Sequence, residues 1–277
     1  MSAQTLQVGR RSREFVGVTG RDAAAHLQRM LSNDVEALDI GEACEALLLT
    51  AKARVIATTT VYRRGHEDFL LLTEPGLGER LRHELLRMRF AAKCAIELED
   101  HTSVLVLGGE APRGAVPNAE YGLAGYELLD AEPPTTARPV DETELERLRL
   151  LAATPRFGLE LDDRVLPAEA GLESRAISFT KGCYPGQEPV ARLHYRGHPN
   201  RLLRVLAVGG GQLPERDTPL RLDGKDVGRI TSAAHDAEHG VVALGYVRRE
   251  VPPAALLDAG GVEARILVGP AEKPVPG

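Results

Sequence analysis

Residues 181–192 read KGCYPGQEPVAR, and this stretch says more about the fold than any other part of the chain. At its centre, the order Tyr-Pro-Gly-Gln is typical of a type II turn, because proline fixes φ at the second position and glycine accepts a positive φ at the third. Cys183 lies between two glycines at this turn. Loops run over protein surfaces or line clefts, so we expect the Cys183 thiol to face solvent or a cleft.

Two interpretations of Cys183 are open on these residues alone. In the first, the charge of Lys181 favours the thiolate, which is the form that acts as a nucleophile or metal ligand. In the second, Cys183 packs as a small apolar residue in a structural turn, as most free cysteines do. Farther along, Gly197 and Pro199 interrupt a run of arginines and histidines, and we expect an irregular segment there rather than a stable helix.

Hydrophobic periodicity outside this stretch predicts a mixed amino-terminal region. Apolar residues at helical spacing predict helices near residues 23–31, 75–90 and 142–153. From about residue 202 the helical spacing gives way to short alternating strands. Asp223-Gly224 between two of them is a strong hairpin signal, since both turn positions favour a positive φ. The carboxy-terminal residues therefore predict a small β-barrel or β-sandwich.

Composition limits the class of protein. The 277 residues carry 34 basic and 40 acidic side chains, a net charge of −6, which argues against broad contact with nucleic acid. No apolar run is long enough to span a membrane, and the first residues do not resemble a secretory leader. We expect a cytoplasmic protein without membrane or direct nucleic-acid partners. Three cysteines without a CxxC pair argue against a disulfide framework or zinc ribbon, and we predict no metal site.

The stretch at 181–192 resembles the signature KGCYxGQExxAR of the YgfZ family, a branch of the superfamily of the glycine cleavage T-protein, which is an aminomethyltransferase. Weaker similarities follow the order of that superfamily along the chain. They lie at residues 18–23 (VTGRDA), 27–35, 48–55, 149–158, 166–172 (LPAEAGL) and 244–247 (LGYV).

The resemblance implies an α+β, T-protein-like fold. Two α+β lobes and a carboxy-terminal antiparallel β-barrel would surround a central channel. Residues 1–200 would form the two interleaved, folate-binding lobes, and residues 201–277 the barrel. No dimerisation heptad is present, so we expect a monomer.

The resemblance also implies a function. The channel would hold tetrahydrofolate or a derivative, and the protein would support the assembly or repair of iron–sulfur clusters, and thereby tRNA modification. Its partners would be iron–sulfur enzymes or assembly proteins. The family's reactive cysteine corresponds to Cys183, with Lys181 beside it. The candidate folate-binding residues are Glu169, Arg196, Tyr184, Gln187, Glu188, Arg192, Asn33 and Asp34.

Two departures from the superfamily bear on activity. Aminomethyltransferases carry an aspartate in the strand after the first hairpin, where it serves methylene transfer. Here residues 54–59 contain no carboxylate, and general acid–base catalysis requires a titratable group. The chain also has no tryptophan, whereas tryptophans line the folate in some YgfZ-type proteins.

Three functional hypotheses remain open at this point. The first is a folate-dependent iron–sulfur assembly or repair factor in which Cys183 is a nucleophile, a redox thiol or a cluster ligand. A cluster normally needs four ligands, so a transient cluster would be shared with a partner. The second is a folate-dependent aminomethyltransferase or related one-carbon transferase. The third is a binding scaffold without catalytic activity.

Overall fold

The computed structural model describes residues 6–267, which form an α+β fold with few helices. The helices are α1 (Ala23–Met30), α2 (Gly78–Arg87), α3 (Glu142–Leu151), α4 (Glu173–Ala176) and α5 (Gln187–Arg196). The strands before the barrel are β1 (Gln7–Arg10), β2 (Glu14–Thr19), β3 (Ala43–Leu49), β4 (Val55–Gly65), β5 (Asp68–Thr73), β6 (Ala95–Glu99), β7 (Ser103–Leu107), β8 (Val116–Asn118), β9 (Gly125–Leu129) and β10 (Arg138–Pro139). The strands of the barrel are β11 (Arg201–Val208), β12 (Pro219–Leu222), β13 (Lys225–Asp236), β14 (Gly240–Arg248), β15 (Leu256–Ala259) and β16 (Glu263–Ile266).

Two five-stranded sheets form the amino-terminal part of the molecule. The first has the order β10-β1-β7-β9-β8, and the second has the order β3-β4-β5-β2-β6. Consecutive strands β1 and β2 belong to different sheets, as do β6 and β7, so the chain passes back and forth between the two. The two lobes are therefore interleaved in sequence.

The second sheet is buried on both faces. Its outer face packs against the apolar sides of α1 and α2, where Leu27 and Leu81 meet Val16 and Phe69 of the strands. These helices are amphipathic, with apolar residues three and four positions apart, which places one apolar stripe against the sheet. The inner face packs toward the first sheet and the segments after α3. This inner face forms the floor of the candidate site.

The carboxy-terminal strands form a closed antiparallel barrel with the order β11-β14-β13-β12-β15-β16. Closure leaves no free strand edge. The hairpin between β12 and β13 turns at Asp223 (φ 51°) and Gly224 (φ 76°), as the sequence predicted. The predicted carboxy-terminal antiparallel barrel is confirmed over the described residues, while residues 1–5 and 268–277 of the predicted domains lie outside them.

The segment after the signature turn is helical, so the expectation of an irregular run was wrong. Helix α5 begins directly after Gly186 and contains the first half of that run, Arg192, His194 and Arg196. Gly197 and Pro199 lie beyond its last residue, where they end a helix rather than prevent one. Pro189 falls in the first turn, where the missing N–H costs no helical hydrogen bond. Gly197 and Pro199 were correctly expected to interrupt a helix. They end α5, however, and do not prevent it from forming.

Candidate functional site

A narrow cleft lies over the inner face of the second sheet. Residues of β3, β4 and β5 form its floor, and its walls come from the turn before β2, the loop between β8 and β9, and the segment around α4. Its free interior volume is about 30 Å³, which is enough for one or two water molecules. The cleft is therefore narrow, although it is open to solvent at its mouth.

The floor of the cleft is one face of three neighbouring strands. Glu45 of β3 lies opposite Thr60 of β4, and Thr60 lies opposite Leu72 of β5. Two positions along, Leu47 lies opposite Thr58. Successive side chains of a strand point to opposite faces, so these five side chains share the face that lines the cleft.

Strand β4 contributes no carboxylate to this floor, in agreement with the sequence analysis. Ala57 and Thr58 occupy the region where the resemblance led us to look for an aspartate. A carboxyl group nevertheless lies on the floor, because Glu45 projects from the adjacent strand. Glu45 was not among the residues predicted from the sequence, because the expected aspartate would lie within residues 54–59.

A chain of buried ion pairs forms one wall. Arg13 donates hydrogen bonds to Glu120 (2.7 Å) and Glu127 (2.5 Å), and Arg11 donates to Glu74 (2.7 Å) and Glu120 (3.2 Å). Burial by itself would raise the pKa of Glu120, but the charges of Arg13 and Arg11 lower it to about 2. This wall therefore carries fixed charges at neutral pH.

The negative charge of Glu45 is offset much less completely than that of Glu120. Its Oε2 forms an ion pair with Nε of Arg175 at 2.7 Å, but the Arg175 Nε–H is not well aligned with any hydrogen-bond acceptor among the described residues. Burial raises the pKa of Glu45 against the opposing charge of Arg175, and the neighbouring Glu120 charge adds to the rise. Glu45 and Glu120 thus have pKa values shifted in opposite directions, an arrangement typical of sites where two carboxyl groups have different roles.

Asn33, a predicted site residue, fixes the backbones of this pair. Its Nδ2 donates to the carbonyl of Glu45 (2.7 Å) and to that of Arg175 (3.2 Å). Its neighbour Asp34 accepts a hydrogen bond from the side chain of Gln28 (2.9 Å). Asn33 and Asp34 therefore support the cleft from behind and do not line it.

The signature turn has the predicted geometry. Gln187 N donates to the carbonyl of Tyr184 (3.2 Å), and Gly186 has φ 85°. A Cβ at Gly186 would lie 2.6 Å from the carbonyl oxygen of Thr50, so the turn packs closely on the hairpin between β3 and β4. Cys183 is exposed at the edge of this turn and does not line the cleft. Tyr184 is buried, and its burial raises the pKa of the phenol to about 12.

The sequence suggested that the charge of Lys181 lies beside Cys183. In the structure, the Lys181 side chain extends to the end of α1 instead. Its Nζ donates to the carbonyls of Gln28 (2.6 Å), Leu31 (2.6 Å) and Asn33 (2.8 Å) at and beyond the end of α1. Cations are favourable at a helix C-terminus, where carbonyl groups lack helical partners. Burial lowers the pKa of Lys181 to about 8, so it is mostly protonated at neutral pH. All three of its N–H groups are engaged, and these contacts give no support to thiolate activation at Cys183.

The two residues aligned with folate binding are not brought together. Glu169 is paired with Arg201, whose Nε and Nη2 lie 3.1 Å and 3.3 Å from its carboxylate oxygens. Arg201 also lies over the ring of Tyr246 (4.7 Å). Arg196 is instead exposed at the last residue of α5. The structure thus pairs Glu169 with Arg201 and not with Arg196.

The remaining signature residues lie on α5. Glu188 and Arg192 are both exposed and form an i, i+4 ion pair of 3.0 Å, and Gln187 is half-buried at the first position of the helix. Within the described part of the chain, none of the ten predicted site residues lines the cleft. Its charged lining residues are Arg13, Glu45, Glu74, Glu120 and Arg175.

Two kinds of feature are absent from residues 6–267. No group of three or more His, Cys, Asp or Glu side chains in this range is arranged to hold a metal ion. No helix in this range has the length and apolar character to cross a membrane.

The chain is similar in sequence to known proteins. Residues 13–114 match the family described as the GCVT N-terminal domain. The tRNA-modifying protein YgfZ of Shigella dysenteriae is 26% identical over 265 residues, covering 83% of this chain and 81% of that protein. An aminomethyltransferase of Bacillus cytotoxicus is 22% identical over 261 residues, covering 78% and 71%.

The fold also matches a solved structure. The glycine cleavage system aminomethyltransferase T from Bartonella henselae superimposes with a TM-score of 0.82 at 18% sequence identity, covering 96% of this chain and 86% of that one. The predicted T-protein-like α+β fold is therefore confirmed.

Proposed function

We propose that this chain, which is similar at modest sequence identity to the YgfZ family and to the glycine cleavage T-protein superfamily, binds a folate in the cleft and supports iron–sulfur enzymes. Through these partners it would act on tRNA modification, as the name of the Shigella relative suggests. The observation that carries the proposal is the cleft itself, which lies on the inner face of a T-protein-like sheet and is lined by Arg175 with its unpartnered Nε–H.

The chemistry of the cleft fits a folate ring. A pterin presents both hydrogen-bond donors and acceptors at its edges, and the cleft offers carboxylates, guanidinium groups and threonine hydroxyls. The free Nε–H of Arg175 is a buried donor that a ligand could satisfy. Leu47, Leu72 and Leu172 supply apolar walls. Because the free volume is about 30 Å³, a bound ring requires these walls to separate.

The position of Cys183 favours a role toward a partner protein. Its thiol is exposed, whereas the cleft is lined by other residues. An exposed thiol can approach a cluster or cysteine of a second protein. A cluster needs several ligands, so any cluster that Cys183 contacts would be held mainly by the partner. The folate and the thiol would then serve one function from separate places on the molecule.

The first prediction concerns the ligand. Titration with 5-formyltetrahydrofolate in a calorimeter should give saturable binding to the wild type and none to Thr60→Phe, since the added ring fills the space above the floor. Thr19→Phe, an exposed change on β2, is the matched control and should bind normally. Both variants are compared with the wild type by thermal unfolding. Absence of binding to the folded wild type would reject the folate proposal.

The second prediction concerns the thiol. Cys183→Ser should fail to restore iron–sulfur enzyme activity in a strain that lacks the protein, while its melting temperature and folate affinity stay at wild-type values. Cys44→Ser is the control, because Cys44 is half-buried and its burial raises the thiol pKa to about 12, which leaves little thiolate. Full rescue by Cys183→Ser would remove the role proposed for this residue.

A further inference from the structure

Glu45 is the floor residue whose bonding is least complete. Its carboxylate forms an ion pair with Arg175 at 2.7 Å, but the Arg175 Nε–H has no well-aligned acceptor among the described residues. About a quarter (26%) of the Glu45 side chain is exposed, and Glu45 lines the cleft. Buried polar groups are nearly always hydrogen-bonded, so this pair has bonding capacity left for a third group.

The other charges of the site do not supply that group. Arg13, the other cleft-lining guanidinium, is shared between Glu120 and Glu127. Glu120 adds negative charge near Glu45. A carboxylate in this position favours a ligand that brings hydrogen-bond donors rather than acceptors.

We propose that Glu45 recognises the edge of the bound pterin ring that carries two hydrogen-bond donors, the adjacent 2-amino and N3–H groups. Before the ligand binds, Glu45 stays paired with Arg175. This inference rests on the proposed folate function. Two parallel N–H donors match the two oxygens of a carboxylate. Thr60 lies directly opposite Glu45 on β4, so a ring bound this way would lie over the floor. The carboxyl absent from β4 is thus supplied by β3, as a residue that binds and orients the ligand.

The backbone around the pair is suited to this role. Asn33 holds the Glu45 and Arg175 main chains together through their carbonyls, so the side chains can separate while their backbones stay in place. The Arg175 Nη1 has a second contact, a weak hydrogen bond of 3.4 Å to the Thr154 hydroxyl. Arg175 therefore has an alternative partner at the edge of the cleft when Glu45 binds a ligand.

The test pairs one substitution with one change in the ligand. Calorimetric affinities are measured for the wild type and Glu45→Gln, each with 5-formyltetrahydrofolate and with an analogue that lacks the 2-amino group. Glu45→Gln should bind the folate roughly 10- to 100-fold more weakly, since a hydrogen bond to a charged group is lost. The loss should be smaller for the analogue, because only the N3–H donor to Glu45 remains in it. Glu97→Gln, an exposed glutamate on β6, is the matched control and should behave as the wild type.

The outcomes separate this inference from the proposed function. Equal folate affinity of the wild type and Glu45→Gln would overturn the role of Glu45 and leave folate binding intact. So would an equal loss for both ligands, since it would reflect altered packing. If the wild type binds neither ligand, the proposed function and this inference both fail. Glu45→Asp, which keeps the charge, should lie between the wild type and Glu45→Gln in folate affinity, and thermal unfolding verifies that each variant is folded.

Discussion

Replacing Arg13 with leucine should lower the free energy of unfolding by roughly 3–5 kcal/mol, because it leaves two buried carboxylates without their shared counter-charge. The side chains of Arg13 and Glu127 are 4% and 2% exposed, and Glu120 is 16% exposed. Guanidinium chloride unfolding at pH 7 measures the change. Arg82→Leu is the control, since its ion pair with Glu79 is on the surface and should contribute at most about 1 kcal/mol.

The pH dependence identifies the cause of that loss. In the wild type the pKa of Glu120 is lowered from 4.5 to about 2, so the stability it contributes is complete above pH 4.5 and is lost as the pH falls toward 2. In Arg13→Leu, Glu120 keeps Arg11. The buried Glu127 carboxyl, however, loses the guanidinium that offsets its burial, so its pKa is raised. The folded variant then binds protons more readily than its unfolded chain, and its stability should increase as the pH falls from 7 toward 5. A deficit that is constant over this range would indicate lost packing instead of lost charge compensation.

The elements that the sequence predicted correctly are those whose signals are local. The Asp223-Gly224 hairpin and the turn at Gly186 each depend on the φ angles that one or two residues can adopt. Helices α1 and α2 follow from apolar residues at helical spacing, because a single stripe must face the sheet. Helix α5 was missed because Gly197 was taken to disrupt the whole run, although it only ends the helix.

The candidate site could not be found in this way, because its residues come together only in the tertiary structure. Glu45 is one polar residue in an alternating strand, and nothing next to it in the sequence separates it from a solvent-facing glutamate. Its partner Arg175 lies beyond the first sheet in the sequence and reaches it through α4. The wall at Arg13 and Glu120 likewise joins distant segments. The resemblance to a known family identified the signature turn. This turn lies near the cleft, but none of its residues lines it.

Lys181 shows why closeness in sequence is a poor guide to the direction of a long side chain. Two residues separate it from Cys183, yet its ammonium group lies among three carbonyl oxygens at and beyond the end of α1. It also lies 5.4 Å from the centre of the Tyr184 ring, so it joins the signature turn to the first helix. Its position indicates that it orients the turn that presents the thiol.

Replacing Lys181 with methionine should therefore lower the free energy of unfolding by roughly 3 kcal/mol or more, because buried carbonyls lose their donors, each at a cost of about 1–3 kcal/mol. Lys52→Met, an exposed change in the hairpin between β3 and β4, should have little effect. The second measurement is the rate at which iodoacetamide alkylates Cys183 in the folded variant, read by mass spectrometry at pH 8 and low temperature. Thiolate activation by Lys181 predicts slower alkylation with unchanged stability, whereas the three carbonyl contacts predict reduced stability and an alkylation rate within about twofold of the wild type. These two results are opposite in both measurements, so one variant decides whether Lys181 acts on the sulfur or on the helix.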